Sequence, residues 1–238
     1  TVFLRFVKLT ECNIMFHNSL SMDFLIKLFR ETWQGKTIAR TLFNLEIAER
    51  VKNLNGTIVD LGSGLNPSHE RFWQIKPEKF IRVDINKEAS PDIIADLNKP
   101  LPFSDNFADS VFLFNVIYIL EDPSAVLREI NRILKPGGKI FFTSPFIFNE
   151  AKEPADYWRF TSGALDKLLK ETGFGKHLIQ PVGERFSAAA YLISPFLFFW
   201  PIKFLFYILA VALDEIIPEK LKLNQPAPIG YFTEAIKL

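Results

Sequence analysis

Thr57-Ile58-Val59-Asp60-Leu61-Gly62-Ser63-Gly64-Leu65-Asn66-Pro67 passes from β-branched and apolar residues into an acid, then into two glycines one residue apart. The pattern predicts a buried strand that turns sharply into a segment able to open a helix. Glycine reaches positive φ without a side-chain clash and lets a ligand lie directly on the backbone. Such a turn at the carboxyl end of a parallel strand is a nucleotide-type site. Pro67 stands where a Gly-x-Gly-x-x-Gly pattern has its third glycine, which argues against a pyrophosphate packed on that helix. Spacing strengthens the reading. Phe80-Ile81-Arg82-Val83-Asp84 reads as a second strand ending in an acid, about twenty residues on, where ribose hydroxyls are gripped. Ile93-Ile94-Ala95-Asp96-Leu97 places another acid after a third apolar run. Three strand ends that each carry a carboxylate, the first followed by a glycine turn, make a nucleoside cradle.

With these residues the chain resembles the class I S-adenosylmethionine-dependent methyltransferases, over roughly Gly56 to Phe174. The resemblance rests on Asp60-Leu-Gly62-Ser-Gly64, Asp84 and Ala95-Asp96-Leu97. It extends through Leu101-Pro-Phe103-Ser-Asp105-Asn-Phe107-Ala-Asp109 and Leu134-Lys-Pro136-Gly137-Gly138-Lys. Asp156-Tyr157-Trp158-Arg159-Phe160-Thr161 is similar to a subgroup often encoded among polysaccharide- and lipid-modifying genes. The order of these motifs points to cofactor class, not to substrate.

The chain has 238 residues, enough for one full α/β domain. Lys plus Arg number 28 against 27 for Asp plus Glu, a net charge of +1 that leaves no electrostatic footprint for nucleic acid. One cysteine, Cys12, rules out an internal disulfide and fits a reducing compartment. His17, His69 and His177 are too scattered for a zinc cluster, so no metal is expected. The N-terminal stretch does not read as a signal peptide. The expected location is the cytoplasm, with peripheral contact at the inner face of the membrane. Oligomeric state is not legible.

Residues 1–55 are expected to form an N-terminal helical cover. Ser21 is an N-cap for a stripe of Phe24, Leu25, Leu28 and Phe29; Ile38, Leu42, Leu45 and Ala48 form a second stripe. These helices are expected to cover the sheet edge, with a lid over the cofactor as the alternative. Residues 56–238 are expected to form a Rossmann-like, doubly wound α/β domain. Strand candidates are 57–61, 80–84, 92–95, 110–114 and 139–144, alternating with helices such as Pro123 to Leu134, which implies a mostly parallel sheet. Pro136-Gly137-Gly138 is expected to stop that helix and lead into the fifth strand. A helix from Ser162 to Thr172 and strands at 177–182 and 230–236 complete seven strands; the resemblance implies that the last two pair antiparallel.

Residues 183–229 separate those last strands, far more than an ordinary hairpin loop, and 186–222 read as an apolar helical insertion. From Ala188 to Leu213 the only charged residue is Lys203, and Pro195 and Pro201 break the run. Three readings follow. The segment lies in a membrane interface, packs on the domain or a partner to form an apolar funnel, or crosses the bilayer as a hairpin. Trp200, Tyr191 and Tyr207 suit an interfacial belt and a core equally.

By resemblance the cofactor is S-adenosylmethionine. Asp60 would face its ammonium group, Gly62, Ser63 and Gly64 would carry the methionine part, and Asp84 with Ile85 would hold the ribose. Asp96 and Leu97 would hold the adenine, and Asn115 would stand beside the methionine part. The bland alternative for each acid is a strand-end cap. Many relatives carry a Glu-His pair after the fourth strand, where this chain has Tyr118-Ile119. Many also carry a histidine where this chain has Ala151. With both bases missing, Asp156, Tyr157, Arg159 and Tyr118 remain as catalytic candidates, with Glu150 and Lys152 behind them. Arg159 could bind a substrate phosphate or carboxylate, or the Tyr157–Phe160 stretch could be a packed loop.

The expected function is methyl transfer to an O, N or C acceptor on a small or amphiphilic substrate, such as a lipid-linked sugar or quinone, near a membrane through residues 188–213. The alternatives are an inactive cofactor-binding scaffold and a nicotinamide oxidoreductase, the latter disfavoured by Pro67.

Overall fold

The computed structural model describes residues 20–65, 70, 75, 77–152 and 155–238. Asn66, Pro67 and His69, where the glycine turn was expected to open a helix, lie outside them, as do Cys12 and His17. Seven strands form one sheet: β1 (Thr57–Leu61), β2 (Lys79–Asp84), β3 (Ile93–Ile94), β4 (Ala108–Phe114), β5 (Leu134–Pro145), β6 (Phe174–Val182) and β7 (Gly230–Lys237). Their order is β3-β2-β1-β4-β5-β7-β6. The first five are parallel, and β7 runs antiparallel between β5 and β6. The mostly parallel, doubly wound sheet read from the sequence is therefore the one formed.

Side chains alternate between two buried faces, as a sheet covered on both sides requires. Val59, Val111, Leu113, Ile140 and Phe142 meet α3 (Pro123–Ile133) and α4 (Ser162–Glu171). Ile58, Phe112, Phe114, Phe141 and Phe232 meet a second layer made of α1 (Met22–Trp33), α2 (Ile38–Arg50), α5 (Arg185–Ile193) and α6 (Trp200–Ile216). Much of the phenylalanine load goes here: Phe112, Phe141 and Phe232 run across the adjacent strands β4, β5 and β7 with ring centroids 5.8 and 6.4 Å apart, and Phe80 on β2 reaches past β1 to Phe112 at 6.3 Å.

Ser21 caps α1 by accepting from Phe24 N at 3.2 Å, and Thr37 caps α2 in the same way. Helix α2 packs over β6 and β7, the last two strands in the sheet order, and buries Ile38, Phe43, Leu45 and Ile47 together. It shares one core with the insertion helices.

The fifth strand starts earlier than its hydrophobic run suggests. Helix α3 ends at Ile133, and Leu134 already pairs with Ala108. Two residues along β4, Ser110 pairs with Lys139, so Lys135–Gly138 bulge out of the ladder. Gly137 supplies φ +75°, and a Cβ on Gly138 would stand 2.8 Å from the Lys135 carbonyl.

The insertion leaves the sheet at Val182 and returns at Gly230, which pair with each other, while Gly230 pairs with Pro145 at the end of β5. Both ends therefore sit at the carboxyl edge of the parallel strands. Two buried carboxylates fix it there. Asp214 on α6 accepts from the backbone N–H of Glu184, Phe186 and Ser187 at 2.8–3.2 Å and from the Ser187 hydroxyl, capping α5 from another helix. Glu184 accepts from Arg185 and from Ala227 N at the far end of the insertion. The short helix α7 (Glu219–Asn224) precedes the return. Among the described residues no helix is long and apolar enough to cross a membrane. Tyr191, Tyr207, Ala210 and Val211 instead lie in the core over the sheet.

Candidate active site

The glycine turn forms at the end of β1. Gly62 N and Ser63 N both donate to Val83 O, at 2.8 and 3.3 Å, which folds the turn over β2. Gly62 and Gly64 have φ of +74° and +66°. A Cβ on Gly62 would lie 2.5 Å from Val116 Cγ2, so only glycine fits; beside Gly64 the space is open to 4 Å. Asp84 is bound to this turn, accepting from Gly64 N at 2.7 Å and from Asn86 N at 2.8 Å. Each oxygen retains a second lone pair, which leaves it able to accept from a diol.

Asp60 lies beneath the turn, 1% exposed. Its Oδ2 and the buried Ser63 hydroxyl have no hydrogen-bond partner among the described residues. Burial pushes the Asp60 carboxyl up to about 7; the Glu70 and Asp84 carboxylates add to this and Arg82 opposes it. An unpaired buried carboxylate beside an open glycine backbone fits an incoming ammonium group. The ligand that the sequence suggested therefore has a complementary site.

The remaining cofactor candidates line the same edge. Ile85 is 66% exposed just past Asp84, an open apolar surface. Asp96 accepts from Asn98 N at 3.0 Å and turns the chain after β3, while Leu97 is half-buried against the core. Asn115 follows β4 at φ +57°, its N–H donating to Thr143 Oγ1 at 2.8 Å.

The catalytic candidates of the sequence lie in one loop and the turn it docks on. Asp156, whose side chain is 2% exposed, is clamped on both oxygens by the Arg159 guanidinium and also accepts from Ala151 N at 2.9 Å. The Arg159 pairing holds its carboxyl below the usual range. Arg159 also donates to the carbonyls of Trp158 and Asn149. These contacts tie both side chains into the loop. That loop docks on the turn after β4: Tyr157 N and Trp158 N donate to Tyr118 O, and Trp158 Nε1 donates to Leu120 O at 2.9 Å. Burial, aided by Asp156, raises the Tyr118 phenol above its ordinary value, so it stays protonated at neutral pH. Tyr157 is 52% exposed.

One residue escaped the sequence reading. Tyr191, on α5, stacks on Phe148 at 4.6 Å and meets Asn149, whose carbonyl takes the Arg159 bond. The insertion thus reaches the acceptor side through a ring and a hydroxyl. Its only sequence signal is a polar atom within an apolar run.

Comparison with known proteins agrees with this geometry. A family described as a methyltransferase domain matches residues 59–142. Over those residues the chain is similar to a methyltransferase domain. The cofactor of such a domain is S-adenosylmethionine. Dimethylglycine N-methyltransferase of Parasynechococcus marenigrum is 30% identical over 105 residues, 38% of each protein, so the match spans well under half of that relative's length. A S-adenosylmethionine-dependent methyltransferase from Archaeoglobus fulgidus shares the fold at TM-score 0.58 and 19% identity, over 88% of this chain and 98% of that one. Haemonchus contortus phosphoethanolamine N-methyltransferase 2, solved with S-adenosyl-L-methionine, aligns at TM-score 0.53 and 18% identity, over 94% of this chain and 60% of that one.

Proposed function

We propose that the protein transfers a methyl group from S-adenosylmethionine to an oxygen, nitrogen or carbon on a small or amphiphilic acceptor, such as a lipid-linked sugar, quinone or lipid-like molecule, at the inner surface of a membrane. One observation carries the amphiphilic part. The apolar insertion begins and ends at the carboxyl edge of the sheet, where Val182, Gly230 and Pro145 adjoin. Its Tyr191 touches the segment that holds Arg159.

The bound cofactor supplies a sulfonium methyl, which is displaced in line. The chain's task is to hold the partners at roughly 3–3.5 Å with water excluded. Asp60 would pair with the ammonium, the Gly62–Gly64 backbone would carry the methionine part, and the spare lone pairs of Asp84, with Ile85 beside it, would accept from the ribose. Asp96 and Leu97 would hold the adenine, and Asn115 would stand beside the methionine part. Asp156 is spent on Arg159 and Tyr118 holds its proton, so an acceptor proton leaves to water. A neutral amine needs no base before transfer, and the named relatives from Parasynechococcus and Haemonchus are both N-methyltransferases. The clamped Asp156–Arg159 pair also favours a second reading, a cofactor-binding scaffold without turnover.

Tritium transfer separates these readings. The chain is incubated with methyl-labelled cofactor and a membrane lipid extract. Label in the organic phase, lost in Asp84→Ala, supports the proposal. Cofactor binding without transfer to lipid or aqueous extracts leaves the scaffold.

A further inference from the structure

Helix α6 has two apolar faces. Tyr207, Ala210 and Val211 turn inward to the sheet. Phe198 just before it, and Ile202, Leu205 and Leu209 along it, turn outward at helical spacing. Phe198 is 91% exposed and Phe196 75%. The outer face does not end with α6. Phe29 on α1 meets Trp200 and Phe204 edge-on, at 5.4 Å each, and Trp33 meets Trp200 at 4.6 Å. Met22 and Ile26, 73% and 52% exposed, continue it along α1. One apolar, aromatic surface therefore spans two helices that are far apart in sequence, and a contiguous exposed patch of this kind marks an interaction surface.

From this surface we infer that the α1–α6 face docks on an anionic lipid leaflet. Its charges select that occupant. Lys27, Arg30 and Lys36 border it on and just after α1, and Lys203 lies within it above the Tyr207 ring. Of these, Lys27 is paired with Asp23 at 2.6 Å and Glu31 is buried, so Arg30, Lys36 and Lys203 carry the positive charge of the face. Lysine and arginine beside aromatic anchors suit anionic headgroups. A second copy seated face to face would bring these cations against their own equivalents. Position supplies the purpose. Leu192 and Ile193, each 43% exposed, carry the apolar surface from Tyr191 at the acceptor side to Phe196. A leaflet docked here stands beside the catalytic edge. That purpose rests on the amphiphilic acceptor proposed above; the docking does not.

Co-sedimentation of the full chain with vesicles tests it, using phosphatidylcholine alone and phosphatidylcholine mixed with phosphatidylglycerol. Binding is expected to the mixed vesicles, several-fold weaker to phosphatidylcholine alone. Phe198→Glu combined with Leu205→Glu is expected to lower the partition coefficient at least tenfold. Leu223→Glu, at an exposed α7 position away from the face, leaves it unchanged. Calorimetry with S-adenosylhomocysteine confirms that each variant is folded, and a failure there concerns the cofactor site alone. No binding to mixed vesicles overturns the inference. So does a concentration-dependent dimer in sedimentation velocity that the double substitution dissolves.

Discussion

Replacing Asp60 by asparagine should stabilise the ligand-free protein and weaken its hold on cofactor. The carboxyl is buried and displaced from 3.8 to about 7. That displacement corresponds to about 4 kcal/mol between its two protonation states. The sign follows from linkage. Below about pH 4 both folded and unfolded chains keep the proton and nothing is lost. As pH rises to about 7 the unfolded chain releases it while the fold retains it, so stability falls; above that the loss is constant. Asparagine does not titrate. Its advantage over aspartate should therefore grow by about 1 kcal/mol from about pH 4 to about pH 5, and reach about 4 kcal/mol by about pH 8. Urea unfolding of both proteins across this range reads the difference directly, because every other group titrates in both. With S-adenosylhomocysteine present the order should reverse, since its ammonium pairs with the carboxylate. At about pH 6, binding to the parent protein should release a fraction of a proton, seen as calorimetric enthalpy that varies with the buffer. A stability difference that stays flat with pH would refute the reasoning.

Other substitutions probe single contacts. Gly62→Ala forces a Cβ to 2.5 Å from Val116 at φ +74°; we expect a loss of about 2–4 kcal/mol by urea unfolding and weaker cofactor binding, whereas retained stability would show that the turn yields. Asp214→Ala leaves the first turn of α5 without its acceptor, with an expected cost of about 3 kcal/mol and faster proteolysis confined to 183–229, read by mass spectrometry of the fragments. Arg159→Gln strands the buried Asp156 and should raise hydrogen exchange across the loop around it and Asn149, while S-adenosylhomocysteine affinity changes less than about threefold.

Local chemistry made the cofactor side legible. Asp60, Gly62, Gly64 and Asp84 occupy strand ends, and a parallel sheet with its turn brings such ends together without long-range detail. The cap at Ser21 was readable for the same reason. Contacts made across the chain were not. Asp156 and Arg159 stand three apart in an irregular loop, where spacing does not tell whether they face each other or a ligand. Asp214 caps a helix that begins about thirty residues earlier, and nothing in its neighbourhood records that partner. The apolar run from 188 to 213 concealed two faces of α6, because hydrophobicity on all sides erases the period that separates core from surface. Tyr191 lay in that run.

The central claim is that the strand-end carboxylates and glycine turn hold S-adenosylmethionine. Titration calorimetry of the full chain with S-adenosylhomocysteine measures this without an acceptor. The account predicts saturable binding at one site per chain, at least tenfold weaker in Asp84→Ala, and no heat with NAD. Absence of binding, or an Asp84→Ala variant that binds as tightly as the parent, would contradict it.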